Sequence, residues 1–166
     1  MPNWCENKLT VTNSTPKLEA FLKEHGLSFE AIVKPNRPEN DENGFGTIDA
    51  QVSAWGTKWD LSDYERKEAA ASLLECGECN FDTAWSPPSE AIRALSELTG
   101  ASFLLAFYES GCWFWGAENI EDGNIEHVGS SSGESKEEAA EFLVKYMGYD
   151  GDDANEAVGL NEDDEE

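Results

Sequence analysis

Apolar residues recur along this chain in two periods, and the order of those periods predicts its elements. Lys8-Leu9-Thr10-Val11-Thr12 alternates, as a half-buried strand does. Thr15-Pro16 reads as an N-cap with proline at the first helical position; Leu18, Phe21 and Leu22 make the helix's apolar side and Gly26 closes it. Residues 35–46 hold two Pro, three Asn and two Gly, a loop composition. Residues 47–59, with Ile48, Val52 and Trp55, are read as partly alternating and are expected to contain a strand. Ala69, Ala70, Leu73 and Leu74 place a helix over 65–75, and a short strand over 81–85 ends at Ser86-Pro87-Pro88. Ile92, Leu95 and Leu98 mark a helix that Gly100 stops. Two apolar and aromatic runs, 102–109 and 112–117, flank Ser110-Gly111 as a hairpin would. Residues 124–128 suit an edge strand. Ser135 and Glu138 have capping-box spacing, and Ala139, Phe142, Leu143, Tyr146 and Met147 supply the apolar face of a last helix.

The first six elements run βαββαβ, which predicts an α+β fold: a ferredoxin-like split βαβ antiparallel sheet with a helical insertion and an acidic C-terminal extension. A domain is expected over residues 1–149. Residues 150–166 hold nine acids and no base, and are expected to be a flexible acidic tail in which Val158 and Leu160 could dock.

Charge changes the picture next. The 166 residues carry 35 acidic and 11 basic side chains, a formal net charge of -24. Residues 1–93 contribute 16 acids and 9 bases, whereas residues 94–166 contribute 19 acids and only Lys136 and Lys145. Without the last 17 residues the body still has 26 acids against 11 bases, so acidity belongs to the folded part. Eight Phe, six Trp and four Tyr exclude a disordered acidic polymer. With no surplus of Lys and Arg to displace counterions, direct binding to nucleic acid is not expected, and neither is docking on anionic lipid. Met1 to Cys5 has neither the charged nor the apolar part of a secretory signal. The longest near-apolar run, 103–108, is far short of a membrane span. Four cysteines do not make a disulfide scaffold. A cytoplasmic location is expected.

Several blocks resemble a known family. Met1-Pro2-Asn3-Trp4-Cys5-Glu6-Asn7-Lys8-Leu9-Thr10-Val11, Trp55-Gly56-Thr57-Lys58-Trp59-Asp60 and Phe81-Asp82-Thr83-Ala84-Trp85-Ser86-Pro87-Pro88 are similar to the YubB-type ferredoxin-like family of phages and conjugative plasmids. Tyr108-Glu109 and Phe114-Trp115-Gly116 agree with it. The resemblance extends over most of residues 1–117 and departs beyond about Glu118. It implies the fold above and a mobile-element origin, and it transfers no activity and no functional residues.

Other motifs favour bland readings. Cys76-Gly77-Glu78-Cys79 has no second ligand pair at zinc spacing, because Cys5, Cys112, His25 and His127 are scattered, so a helix-to-strand turn without metal is expected. Trp55, Trp59 and Trp85 with Lys58 could form a stacking platform, but the charge opposes nucleic acid, and packing against the sheet is the expectation. Asp150-Gly151-Asp152-Asp153 lacks the spacing of a calcium loop. Glu109, Glu118, Glu121, Asp122 and Glu126 gather around the last hairpin, where a solvated acidic face is the default. No catalytic constellation, cofactor site or metal site is expected. The remaining signal is the carboxylate surplus. A non-enzymatic DNA mimic from a mobile element, filling the basic groove of a host DNA-binding defence complex of restriction or CRISPR type, would need such a surface. Its expected contact residues are Glu118, Glu121, Asp122, Glu126, Glu134, Glu137, Glu138, Glu141, Asp150, Asp152 and Asp153. The alternatives are an acidic protein-binding module and a carboxylate-based metal enzyme.

Overall fold

A computed structural model describes residues 1–132 and 135–160, without the side chains of 130–132. Strand β1 (Trp4–Asn13) leads into α1 (Pro16–His25), capped as the sequence predicts, with the Leu18 amide donating to Thr15 Oγ1 at 3.2 Å. Three helices follow, α2 (Phe29–Ile32), α3 (Phe45–Trp55) and α4 (Asp63–Cys76), before β2 (Glu78–Ala84). Helix α5 (Ser89–Thr99) connects β2 to β3 (Ser102–Glu109), and β4 (Phe114–Glu121) and β5 (Asn124–Ser132) complete the strands. Helix α6 (Lys136–Phe142) continues as a π-helical turn, Leu143–Met147, and α7 (Gly151–Ala157) follows.

The five strands stand in the order β2-β1-β3-β4-β5, and every neighbouring pair is antiparallel. β2 and β3 therefore run parallel on either side of β1 with α5 between them, which is the split βαβ unit. The expected fold class stands, but by another element order. Residues 47–59 form no strand; they hold most of α3. Ile48, Val52 and Trp55 are four and three residues apart, which is helical spacing and not alternation. Asp41 accepts from the Gly46 and Thr47 amides and so holds the start of that helix.

Both faces of the sheet are covered. On one face Cys5 and Leu9 of β1, Phe81 of β2, Phe103 and Leu105 of β3 and Ile120 of β4 pack with Leu18, Leu22, Phe29, Trp55, Ile92 and Leu95 from α1, α2, α3 and α5. On the other, Ala106, Tyr108, Trp115 and Ala117 pack with Ala139, Phe142, Leu143 and Met147. Ser135 caps α6, its Oγ accepting from the Glu138 amide.

The stretch expected to be tail does not begin as one. Asp150 is the N-cap of α7, its Oδ1 accepting from the Asp153 amide at 2.9 Å, so the Asp-Gly-Asp-Asp segment starts a helix. Ala154 and Val158, one helical turn apart, are buried against α6, and Lys136 Nζ donates to the Gly159 carbonyl at 2.8 Å. Two buried apolar residues, a cap, the Lys136 bond and a bond from the Tyr108 hydroxyl to the Ala157 carbonyl dock this short acidic helix. Residues 161–166 lie outside the described residues.

Candidate functional site

Among the described residues the expected contact residues form two exposed groups and one buried exception. Glu137, Glu138 and Glu141 on α6, and Asp150, Asp152 and Asp153 at α7, are exposed on the helical layer that covers the second face of the sheet. Glu121, Asp122 and Glu126 are exposed at the β4–β5 turn. Strand alternation places Glu121 and Glu126 on the same sheet face as Ala117 and the α6 layer, since Glu126 is registered opposite Asn119, two residues beyond Ala117. Glu134 lies outside the described residues.

Glu118 belongs to neither group, and its place as a contact residue is corrected. It is 4% exposed, registered against Leu105 on the face covered by α5, with His127 Nδ1 3.6 Å from its Oε1. Burial pushes its carboxyl above the usual glutamate range, although a hydrogen bond with Ser89 and the nearby His127 work the other way. Its Oε2 is buried with no hydrogen-bond partner among the described residues. One residue of parity decides this: outward-facing Glu121 and inward-facing Glu118 are three apart on one strand. Glu109 is buried too, at 1% exposure, and accepts from the Gly111 and Cys112 amides at 2.7 and 2.6 Å, holding the β3–β4 turn. It is part of the turn's framework and not of a solvated acidic face.

The two halves of the chain also treat their charges differently. Each of the three arginines is paired: Arg37 with Glu30, Arg66 with Asp60 and Asp63, Arg93 with Glu90 and Glu97. Among the described residues no Lys or Arg pairs with Glu121, Asp122, Glu126, Glu137, Glu141, Asp152 or Asp153. The two bases of this half are engaged elsewhere: Lys136 on the Gly159 carbonyl, and Lys145 4.9 Å from the centre of the Tyr146 ring. The field of these carboxylates is left open to solvent.

Sequence reasoning missed a second feature, on the part of this sheet face nearest the β2 edge. Glu6 and Asp82 are directly opposed across β1 and β2. Tyr149, just before α7, donates to Glu6 Oε2 at 2.5 Å. A cleft of about 420 Å³ is lined there by Glu6, Asn80, Asp82, Met147, Tyr149 and Asp153, among others. Partial burial first, and then the Glu6 and Glu65 carboxylates, push Asp82 above the usual aspartate range. Burial and the bond to Glu6 hold the Tyr149 phenol well above its ordinary range. The available signal was the polar parity of β1, in which Trp4, Glu6 and Lys8 alternate with Cys5, Asn7 and Leu9.

The tryptophans depart from expectation next to this cleft. Trp55 is buried, and its Nε1 donates to the Val33 carbonyl. Trp59 and Trp85 are not packed inside: they are 42% and 43% exposed, and Trp4 is 49% exposed. Lys58 Nζ lies 4.4 Å and 4.2 Å from the centres of the Trp59 and Trp85 rings, and Trp4 is 6.4 Å from Trp59. The 57–59 segment runs along the end of β2, and the Trp59 and Trp85 rings there stay partly exposed among the described residues. Thr57 Oγ1 donates to the Ala84 carbonyl, Gln51 Nε2 to the Lys58 carbonyl and Ser86 Oγ to the Gly56 carbonyl. Trp85 sits at φ +75, a conformation that costs a bulky residue about 1–3 kcal/mol, and its amide donates to the Asn3 carbonyl at 2.8 Å.

The Cys-x-x-Cys segment is a turn, as expected. Cys76 ends α4, Gly77 takes φ +78, which a side chain would resist, and Cys79 is buried in β2. Among the described residues no three His, Cys, Asp or Glu side chains come together in a way that could hold a metal ion. None of the described helices is long and apolar enough to cross a membrane.

The five-stranded antiparallel sheet with its split βαβ unit defines a ferredoxin-like α+β protein. Residues 54–150 match the model of one family, the ferredoxin-like domain in Api92-like protein, and with more than half of its length matched the chain belongs to that family. No curated protein and no solved structure matches it. The match runs through β4, β5 and α6, so residues 119–150 of the acidic C-terminal part belong to the family domain. Strand β1, an inner strand between β2 and β3, precedes the matched residues.

Proposed function

We propose that this chain is a non-enzymatic acidic mimic of DNA, a YubB-type product of a phage or plasmid. In this reading it occupies the basic nucleic-acid groove of a host DNA-binding defence complex of restriction or CRISPR type. The observation that carries the reading is the open carboxylate layer: Glu137, Glu141, Asp152 and Asp153 on α6 and α7, with Glu121 and Glu126 on the same sheet face, all exposed and without a basic partner among the described residues. Such a surface suits a cationic counterpart and repels nucleic acid itself. Asp122 lies at the same turn, and Glu138 and Asp150 flank the layer.

The test is competition. Purified restriction and CRISPR complexes are titrated with the full chain in the presence of labelled duplex DNA, over a range of salt. Displacement of the DNA, weakening steeply with salt, supports the proposal. Reversing Glu137, Glu138 and Glu141 to Lys replaces three attractions by three repulsions. At about 0.5 kcal/mol each this is about 3 kcal/mol, or roughly 100-fold in affinity. Salt-independent binding, or an unchanged triple variant, would overturn it.

A further inference from the structure

We infer that Trp4, Glu6 and Asp82 form a seat for a single arginine side chain of a protein partner. The inference rests on the proposed reading that the partner is cationic, and adds to it a specific anchor. Trp4 and Glu6 are two residues apart on one face of β1, and their registered neighbours across β2 are Ala84 and Asp82. A half-exposed indole, two carboxylates and a small residue thus form one block on the sheet face. The cleft beside it is closed by Tyr149 and Asp153 from the α7 side.

Charge and shape both select a guanidinium. Like charges directly opposed on neighbouring strands repel, and a cation between them relieves that repulsion. Tyr149 engages one Glu6 oxygen, and Asp82 takes part in none of the hydrogen bonds or ion pairs found among the described residues, so carboxylate oxygens remain for a forked donor. A planar cation also stacks on an indole, which an ammonium does less well. The neighbouring rings already hold a cation, because Lys58 Nζ lies between Trp59 and Trp85. Lys58 fills that position, which leaves Trp4 for a ligand. The other base nearby, Lys8, is drawn to Glu78 at 3.5 Å, while Glu65 and Asp153 add to the negative field. Phosphate would meet Glu6, Asp82 and Asp153, so the block does not suit a nucleotide.

The experiment titrates the intact chain at low ionic strength with two blocked tripeptides, acetyl-Gly-Arg-Gly-amide and acetyl-Gly-Lys-Gly-amide. The indole N–H resonances report binding, assigned by single Trp→Phe replacement. The expected result is a saturable shift of the Trp4 resonance with the arginine peptide, at least about tenfold tighter than with the lysine peptide. Asp82→Asn weakens it by a similar factor; the exposed position of Asp82 lets this variant fold even where Glu6→Gln does not. Neutralising Glu137 and Glu141 together leaves the titration unchanged. No saturation, equal response to lysine, indifference to Asp82→Asn, or equal loss in the Glu137/Glu141 variant each overturns the seat. The DNA competition assay reads the α6–α7 layer, so an absent seat with competition intact removes this inference alone. A seat without competition removes the mimic reading.

Discussion

The same substitution at two buried glutamates is expected to act in opposite directions. Glu109 and Glu118 lie on neighbouring strands, and both are almost inaccessible. Glu109 is fully employed, with the Gly111 and Cys112 amides donating to its two oxygens at 2.7 and 2.6 Å. In Glu109→Gln one oxygen still accepts, but the new NH2 faces the other amide. One charge-assisted bond of about 1.5–3 kcal/mol is lost and an N–H is left unpaired, giving a destabilisation of about 2–4 kcal/mol. Glu118 holds a buried oxygen with no hydrogen-bond partner among the described residues, and burial dominates the upward push on its carboxyl. Glu118→Gln removes the ionised form that is costly there and is expected to stabilise by about 1 kcal/mol at neutral pH. The pH dependence follows from the raised carboxyl. The native state keeps its proton to higher pH than the unfolded chain does, so this group's contribution is complete below the ordinary glutamate range. It is lost as pH rises through the native value. The benefit of Glu118→Gln should therefore vanish in acid and be full at neutral pH and above. Urea unfolding followed by tryptophan fluorescence measures both. With a slope of about 2 kcal/mol per molar, the midpoint should fall by about 1–2 M for Glu109→Gln and rise by about 0.5 M for Glu118→Gln. Equal signs for the two variants, or a Glu118→Gln gain that persists in acid, would refute the reasoning.

Two further outcomes are expected. Cys76 and Cys112 are exposed, whereas Cys5 and Cys79 are buried, with burial pushing both of their thiols up, Cys79 to about 12. A chromogenic disulfide reagent should modify two thiols quickly in the native protein and the other two only on unfolding; fast modification of all four would contradict the turn reading of the Cys-x-x-Cys segment. Asp60, the last residue of the Trp-Gly-Thr-Lys-Trp-Asp block, accepts from the Phe29, Glu30 and Leu61 amides and from Arg66. Asp60→Ala should cost about 3–5 kcal/mol in thermal or urea unfolding, and a loss below about 1 kcal/mol would show that the inserted helices do not depend on it.

Local signals in the sequence sufficed for much of this protein. The caps at Thr15 and Ser135, the Gly77 turn and the β3–β4 hairpin were legible because each is decided by residues a few positions apart. The fold class follows from the order of strands and helices, even though Ile48, Val52 and Trp55 belong to a helix and not to the expected strand. The net charge and its concentration after residue 93 were fixed by counting. Only the tertiary structure decided which carboxylates face water. Strand parity and the layer above it turned Glu118 inward and left Glu121 outside, and neighbouring letters do not carry that information. The same is true of Glu6 and Asp82, which are distant in sequence and become opposed through the register of β1 on β2. It holds for Trp59 and Trp85 as well, which are brought together at the end of β2 and left partly exposed there. It holds too for the docking of α7, where Ala154 and Val158 join the apolar cluster of α6, the π-helical turn and the second sheet face.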